Sequence, residues 1–543
     1  MITKVMSQYF LKTSLGNQGQ ASKILFSLMM CLVLIITWAY REPVFFRDYA
    51  IIWEGVGRML SGHSPLSDIG MPVGPVVLFL PYIFCKFFGF TWLTLQLAQL
   101  FQSLLLIIIG SAILDQLVVS RKVYFWAVAL FSLFFVSFLM HPWYNTTALL
   151  LLLVSIYLSL LKNIGWLVIA GVFTGLCIFC KQDYGFMAVI TCFTAIVGRD
   201  LIGISDYRDS FQSKILLAAL KKLLLYFLGI ILVSALFLFL YEDNYIAYWF
   251  GSSIGSEAAA NKLSALFAAK TNGLMFLAIL GLMLALKFRS FTLLICASML
   301  LVSAVTRYSS GMYFTSFFFW LFLPPFLYEL RYSVLENSKL ALKILLVPII
   351  TISVILAVKT PLVTAYNFWT STLTNKAEHY YLDASKVVLP VIDLGACIPI
   401  LKNIYAPKEA CNSIMEIQGL LSTIPNPSVL NITEFTPLTE LVSGIYPSDH
   451  PLWYHLGITL HEREIKRILF EVNKGLYDLV AVQHYLTEPT EFDNNLIKIL
   501  RNSSQYKELT PMKSPMQATD CLKSDVCVGE IFLFVKDYLI IKD

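Results

Sequence analysis

Charged residues are scarce in this chain: Asp, Glu, Lys and Arg together make up 14% of 543 residues, whereas hydrophobic residues make up 57%. Soluble domains carry about 25% charged residues, so this composition excludes an ordinary soluble globular protein. A large charge of one sign is missing as well. The formal net charge is only +5, and the basic residues fall between hydrophobic segments instead of forming one patch, so no nucleic-acid partner is expected. Internal repeats and low-complexity tracts are absent too. What remains is a chain of mean hydropathy +0.71, the composition of a polytopic membrane protein.

A helix needs roughly 20 apolar residues to cross a bilayer. By that measure spans are expected near 22–40, 92–117, 122–140, 145–161, 164–180, 183–198, 217–241, 271–286, 290–306, 311–330 and 341–358. The first follows Lys4, Lys12 and Lys23 as a signal peptide would, but it lacks a small-residue cleavage site and runs on into Trp38, Tyr40 and Arg41. It reads as a retained anchor.

The apolar run "MPVGPVVLFLPYIFCKFFG", 71–89, is nearly long enough to span. If it does not cross, every predicted internal loop is basic: Arg121 and Lys122; Lys162; Arg199, Arg208, Lys214, Lys221 and Lys222; Lys287 and Arg289; Arg331, Lys339 and Lys343. Pro72, Pro75 and Pro81 favour a broken, interfacial or re-entrant piece sheltered by other helices. The expectation is about eleven spans, with the N-terminus cytoplasmic and the C-terminus outside.

Beyond about residue 360 the apolar runs shorten to strand length, as in "YDLVAVQ" (477–483) and "EIFLFVKDYLII" (530–541), and alternate with helical patterns such as "HEREIKRILFEVNKG" (461–475). Two units follow: a transmembrane domain over 1–358, including an outer loop at 41–91, and an exoplasmic α/β domain over 359–543. Four of the ten cysteines, Cys397, Cys411, Cys521 and Cys527, lie in the second unit, where an outside location permits disulfides. Sequence leaves their pairing open, with near neighbours the simplest arrangement. Cys177 and Cys180 form a CxxC, but inside an apolar helix this reads as packing.

The outer turns hold the chemistry. In "FFRDYAIIWEGVGRMLSGHSPLSD" (45–68), apolar Tyr49, Ile52, Trp53, Val56, Met59 and Leu60 fall on one helical face, which predicts an amphipathic helix lying on the membrane. Asp48 stands at its start, where a plain helix-capping role is the competing reading. Other outer turns read "KQDYG" with Lys181 and Asp183, "TRYSSGMY" with Arg307, "HPWYNTT" (141–147) and "YEDNYIAYWFGSS" in the loop 242–270. Each has an ordinary explanation: snorkelling cations, an interfacial ion pair, an aromatic belt. Their convergence on one side, with a re-entrant loop and an appended domain, points to a lipid-headgroup site.

A first span followed by an exoplasmic acid, an amphipathic helix, a glycine turn, a "P-x-x-G-P" segment and "FFGFTW" into the second span resembles the GT-C superfamily of polyprenyl-phosphate-sugar glycosyltransferases, of the protein mannosyltransferase and aminoarabinose transferase type. The helix "LVIAGVFTGLCIFCKQDYGF" (167–186) resembles the lysine-ended helix of that group, and "TPLTELVSGIYPSDHPLWYH" (436–455) is similar to its outer domains. The resemblance implies that Asp48 acts as, or positions, the general base for the acceptor, and that Lys181 and Arg307 bind the donor phosphate. Relatives often carry a second acid after the third span, where this chain has "HPWYN"; Asp183 is the candidate substitute. Tyr49, His141, Tyr144 and Glu242 are the candidate acceptor or sugar contacts. No cofactor is expected, and nothing supports a bound divalent metal.

The residue types suit that chemistry. Cations neutralise charge developing on a departing lipid phosphate, and a carboxylate orients an attacking hydroxyl or amine and takes its proton. The expected function is transfer of a sugar from a polyprenyl-phosphate donor to an exoplasmic acceptor, lipid, glycan or protein, with inversion at the anomeric carbon, in a bacterial plasma membrane. A transporter or flippase for a lipid-linked glycan is the alternative. That class places ionisable residues along its spans, and here they are nearly free of them.

Overall fold

The computed structural model describes residues 2–40, 47–71, 73–117, 120–139, 143–203, 209–240, 272–309, 318–336, 340–373, 380–382, 388–402, 404–433, 435–447, 450–452, 454, 460, 462–485, 491–513 and 528–539. Its larger part is a bundle of apolar helices. In chain order these are α1 (Ile2–Tyr40), α2 (Arg47–Leu60), α3 (Val76–Phe88), α4 (Trp92–Gln116), α5 (Arg121–Phe134), α6 (Tyr144–Leu160) and α7 (Trp166–Ile178). They continue as α8 (Gln182–Gly203), α9 (Asp209–Leu240), α10 (Asn272–Phe288), α11 (Phe291–Ser309), α12 (Leu323–Glu329) and α13 (Leu340–Leu373). Four helical stretches among the described residues are long and apolar enough to cross a bilayer: Gly19–Ala39, Trp92–Gln116, Leu217–Leu240 and Leu346–Tyr366. Shorter apolar helices pack among them. Large apolar side chains on α1, α9 and α13 face outward, with Phe239 86% exposed, which water would not tolerate and lipid does. The chain is an integral membrane protein.

Helix ends sort to two sides. At one, Lys23 pairs with Asp115 at 2.6 Å and Lys222 with Asp200 at 2.7 Å. On the same side Arg199 donates to the Leu160 carbonyl, Thr292 to that of Leu117, and Ser290 to Glu329. This is the side to which the sequence assigns its basic loops. Glycine sets a close crossing between α7 and α9, where Gly171, Gly175 and Gly229 leave no room for side chains. Such small-residue contacts drive helix association where lipid removes the hydrophobic term.

In the segment 71–89, Val76–Phe88 is helical, about 20 Å at 1.5 Å per residue, and an extended stretch leads into it. Pro75 caps the helix and Pro81 lies inside it. At its far end α13 runs on to Leu373, fifteen residues past the expected end of the last span.

The C-terminal residues form two sheets. β1 (Tyr380–Leu382), β2 (Val388–Asp393) and β3 (Tyr405–Pro407) make an antiparallel three-stranded sheet. In the second, β4 (Val429–Ile432) runs parallel to β5 (Leu479–Tyr485), which pairs antiparallel with β8 (Val528–Lys536); β6 (Tyr506–Glu508) and β7 (Met512–Lys513) complete it on β8. Helices Glu462–Asn473 and Glu491–Asn502 cover it. Cys397 and Cys411 are joined by a disulfide, the near-neighbour arrangement; Cys521 and Cys527 lie outside the described residues.

The expectation that α2 rests on the bilayer is corrected. Residues 51–58 are all buried in protein. Trp53 packs on Phe90 and Trp92, and a side chain at Gly55 would collide with Leu78. On the polar face, a Cβ at Gly57 would lie 2.2 Å from Glu440, so the C-terminal domain closes directly over the helix. Amphipathicity demands an apolar counter-surface on one side only, and here protein supplies it and covers the polar side as well.

That polar side is a buried charge cluster. Arg58, 1% exposed, binds Glu54 and donates to the carbonyls of His450 at 2.8 Å and Pro451 at 3.4 Å. Glu440 binds the Tyr446 hydroxyl, and His450 reaches Tyr454 at 3.0 Å and Glu471 at 2.9 Å. Glu54 holds the guanidinium directly, and Glu440 lies beside the same cluster without an ion pair to it among the described residues. Burial pushes Glu54 up to about 7 despite Arg58, and Glu440 well above the carboxylate range; burial lowers His450. A carboxyl with a raised pKa binds its proton more tightly folded than unfolded, so its contribution to stability is greatest in acid and declines as pH rises. For Glu54 the decline runs from about 4.5 to about 7. Thermal unfolding of Glu54→Gln across that window should lack this component of the wild-type slope. An unchanged slope would remove Glu54 from the titration.

Candidate functional site

The site is built at the end of the bundle opposite the Lys23–Asp115 pair. Helix α7 ends at Ile178, and Lys181 donates its backbone N–H to the Cys177 carbonyl at 2.9 Å before α8 turns back. This turn is tight because Gly185 lies against Ile178, where a Cβ would come within 2.5 Å of its Cα. The extended stretch before α3 seals it: Gly74 donates to the Cys180 carbonyl at 3.0 Å, and a Cβ there would sit 1.7 Å from the Phe179 carbonyl oxygen. The Cys177 and Cys180 thiols donate to the Ala148 and Tyr144 carbonyls of α6, a packing role for the CxxC.

Lys181 is thereby held 9% exposed. Its Nζ donates to Asn145 Oδ1 at 2.7 Å, lies 3.3 Å from Asp183 Oδ2, and stands 5.5 Å and 5.2 Å from the ring centres of Tyr144 and Tyr184. Asp183 Oδ1 accepts from the Tyr184 N–H at 2.9 Å. The ammonium is therefore caged by one carboxylate, one amide and two aromatic faces. Asn145 Nδ2 is buried and meets no acceptor among the described residues.

Polar groups continue from this corner into the bundle. Gln99 donates to the Leu139 carbonyl at 3.0 Å and to Thr146 at 3.1 Å, Ser103 to the same carbonyl at 3.1 Å, and Thr147 to Gln102 at 2.7 Å. Gln96, Gln99 and Gln102 are each at most 2% exposed. Neutral amides this deep in apolar helices are expensive unless bonded, so they mark a place where the bundle tolerates polar matter.

Of the residues singled out in the sequence, Lys181, Asp183 and Tyr144 come together. Arg307 lies near the end of α11, one residue beyond Thr306, whose hydroxyl bonds Tyr184. The backbone of Arg307 therefore belongs to the same corner, and its side chain is not among those described. Asp48 and Tyr49 lie on the first turn of α2, inside the helix instead of at its cap, and their side chains are likewise outside the description. His141 and Glu242 lie outside the described residues. Asn145 and the glutamines of α4 were missed. The signal was present: Gln96, Gln99 and Gln102 recur at intervals of three in an otherwise apolar helix, which puts them on one face.

No protein-family model matches the sequence, and no curated protein matches it. Among solved structures, the chain is similar to the crystal structure of ArnT from Cupriavidus metallidurans bound to undecaprenyl phosphate, with a TM-score of 0.48, 11% identity and coverage of 95% of this chain and 98% of that one. The apo crystal structure of the same protein gives the same TM-score and coverages at 10% identity.

Proposed function

We propose that this chain is an integral-membrane glycosyltransferase that moves a sugar from a polyprenyl-phosphate donor to an acceptor at the Lys181 end of the bundle. The observation that carries this reading is the buried ammonium of Lys181, held by Asn145 and Asp183 beside two tyrosines, at the end where the C-terminal domain closes over α2. A caged cation of this kind suits a phosphate presented from the bilayer, because low dielectric strengthens each charge-assisted hydrogen bond.

In the proposed reaction the acceptor oxygen or nitrogen forms a bond to the anomeric carbon as the bond from that carbon to the phosphate oxygen breaks. The electron pair leaves with the lipid phosphate, where Lys181 and Arg307 neutralise it. The acceptor proton passes to Asp48, and Asp183 holds Lys181 in place. One displacement inverts the anomeric centre. A transport pathway would use the polar face of α4; the bonds from Gln99 to Leu139 and Thr146, and from Thr147 to Gln102, favour the transferase reading over it.

The test is sugar transfer by purified protein from a panel of polyprenyl-phosphate sugars. Asp48→Asn should lose about 100-fold or more of the wild-type rate while unfolding at the same temperature. Full activity in Asp48→Asn would return Asp48 to a helix-terminal role. A wild type inert toward every donor would sink the transferase reading.

A further inference from the structure

At the opposite end of the bundle, a half-open recess lies between the turn after α6, the end of α8 and the first half of α9. Its wall includes Lys162, Arg199 and Lys222, with Ser159 and the apolar Ile164, Leu167, Ala195 and Ile196. Among the described residues, these three cations are not matched by equal acid. Lys222 is paired with Asp200 through both carboxylate oxygens, at 2.7 and 2.8 Å. Lys162 and Arg199 have no carboxylate partner among the described residues. Elsewhere at this end Lys23 is answered by Asp115 and Arg331 by Glu336; what sets the recess apart is the grouping of its cations in one concavity.

The guanidinium is also prearranged. Arg199 Nη2 donates to the Leu160 carbonyl at 2.7 Å, and its carbon sits 5.4 Å from the centre of the Phe291 ring, which fixes the fork at the rim. A guanidinium held flat, with two ammonium groups on the same wall, matches the oxygens of a phosphate better than any monovalent point charge. Around the rim, Ile164 is 40% exposed, and along α9 Leu220 and Leu224 are 50% and 63% exposed. A ligand with a phosphate in the recess would have apolar surface beside it running into the bilayer.

We propose that this recess binds a phosphate, and that its source is the headgroup of an anionic phospholipid in the leaflet at that end. This site is separate from the Lys181 corner and does not depend on the transferase reading. Its charge is more than a topological signal: the cations are grouped in a concavity with apolar shoulders, the form in which basic pockets between membrane helices hold anionic headgroups. A soluble phosphate shares the charge but leaves the shoulders unused.

The experiment uses the full chain in phosphatidylcholine nanodiscs with a minor fraction of phosphatidylglycerol, and counts by native mass spectrometry the lipids retained after mild delipidation. Phosphatidylglycerol should be retained in preference to phosphatidylcholine. Lys162→Glu should weaken that retention about tenfold or more, given about 1 kcal/mol per cation near a charged headgroup. Lys221→Glu reverses an exposed charge on α9 that does not line the recess, and should change little. Equal losses in the two variants would mean general surface charge and overturn the site, as would equal retention of the two lipids. If glycerol 3-phosphate displaces phosphatidylglycerol at matched concentration, the recess takes a soluble phosphate and the lipid assignment fails.

Discussion

If the chain is the proposed transferase, replacing Lys181 by Met should lower sugar transfer by about 100-fold or more, the scale on which one preorganised electrostatic contact to a transition state acts. The same substitution also destabilises the protein, because it strands Asp183, whose Oδ2 is buried and looks to the ammonium 3.3 Å away. Removing one partner of a buried ion pair typically costs 3–5 kcal/mol, so loss of activity alone would not separate a catalytic lysine from a structural one. The double variant Lys181→Met/Asp183→Asn separates them. It removes both charges, and neutral side chains of similar volume restore most of the stability. If Lys181 serves the donor phosphate, the double variant unfolds near the wild-type temperature and stays inactive. If the pair is only a strut, activity returns with stability, and the phosphate role is lost.

That corner was partly legible in the sequence. Lys181 and Asp183 sit two apart in "KQDYG" at the end of an apolar run, so their proximity is a local fact. Their partner Asn145 lies 36 residues away, at the start of α6. Hydropathy places that start at one end of the bundle but says nothing of which helices are neighbours, so the amide could not be assigned to the lysine. The glutamines of α4 failed to register for a different reason: in a search for charges, neutral amides at helical spacing are silent, although their burial is costly.

The fold divides in the same way. Span positions follow from composition, and α4, α6 and α9 begin and end within a residue or two of the expected limits or extend beyond them. In the C-terminal domain, alternation located the two central strands and the helix Glu462–Asn473. The fate of α2 was not legible. Its hydrophobic face is equally consistent with lipid or protein, and the groups that decide between them, His450 and Pro451, are 392 and 393 residues from Arg58. Gly55 and Gly57 carried the only local hint, since helix-interior glycines weaken a helix unless something approaches closely. Here Leu78 and Glu440 do so. The consequence bears on mechanism, because a helix clamped on both faces holds its first turn, with Asp48, at a fixed distance from the C-terminal domain.

The α7–α9 crossing carries the largest structural expectation. At Gly171 a Cβ would lie 2.0 Å from the Tyr226 carbonyl oxygen, and at Gly229 it would lie 2.1 Å from that of Val168. Both obstacles are backbone, so no rotamer change relieves them and the helices must separate. Separation would also break the hydrogen bond from the Tyr226 hydroxyl to Thr174, 2.9 Å and fully buried, and disturb the Cys192 thiol that bonds both. Gly171→Ala should therefore destabilise at or above the upper end of the 1–3 kcal/mol range of overpacked cores, although alanine is the better helix former. Thermal unfolding in detergent measures it. Because one displacement serves both sites, Gly171→Ala/Gly229→Ala should lose clearly less than the sum of the single losses. Additive losses, or a Gly171→Ala protein as stable as wild type, would mean that the helices do not meet this closely. The Lys181 turn, at the end of α7, makes transfer activity a second readout. If the crossing holds that turn in place, activity in Gly171→Ala falls at temperatures well below unfolding.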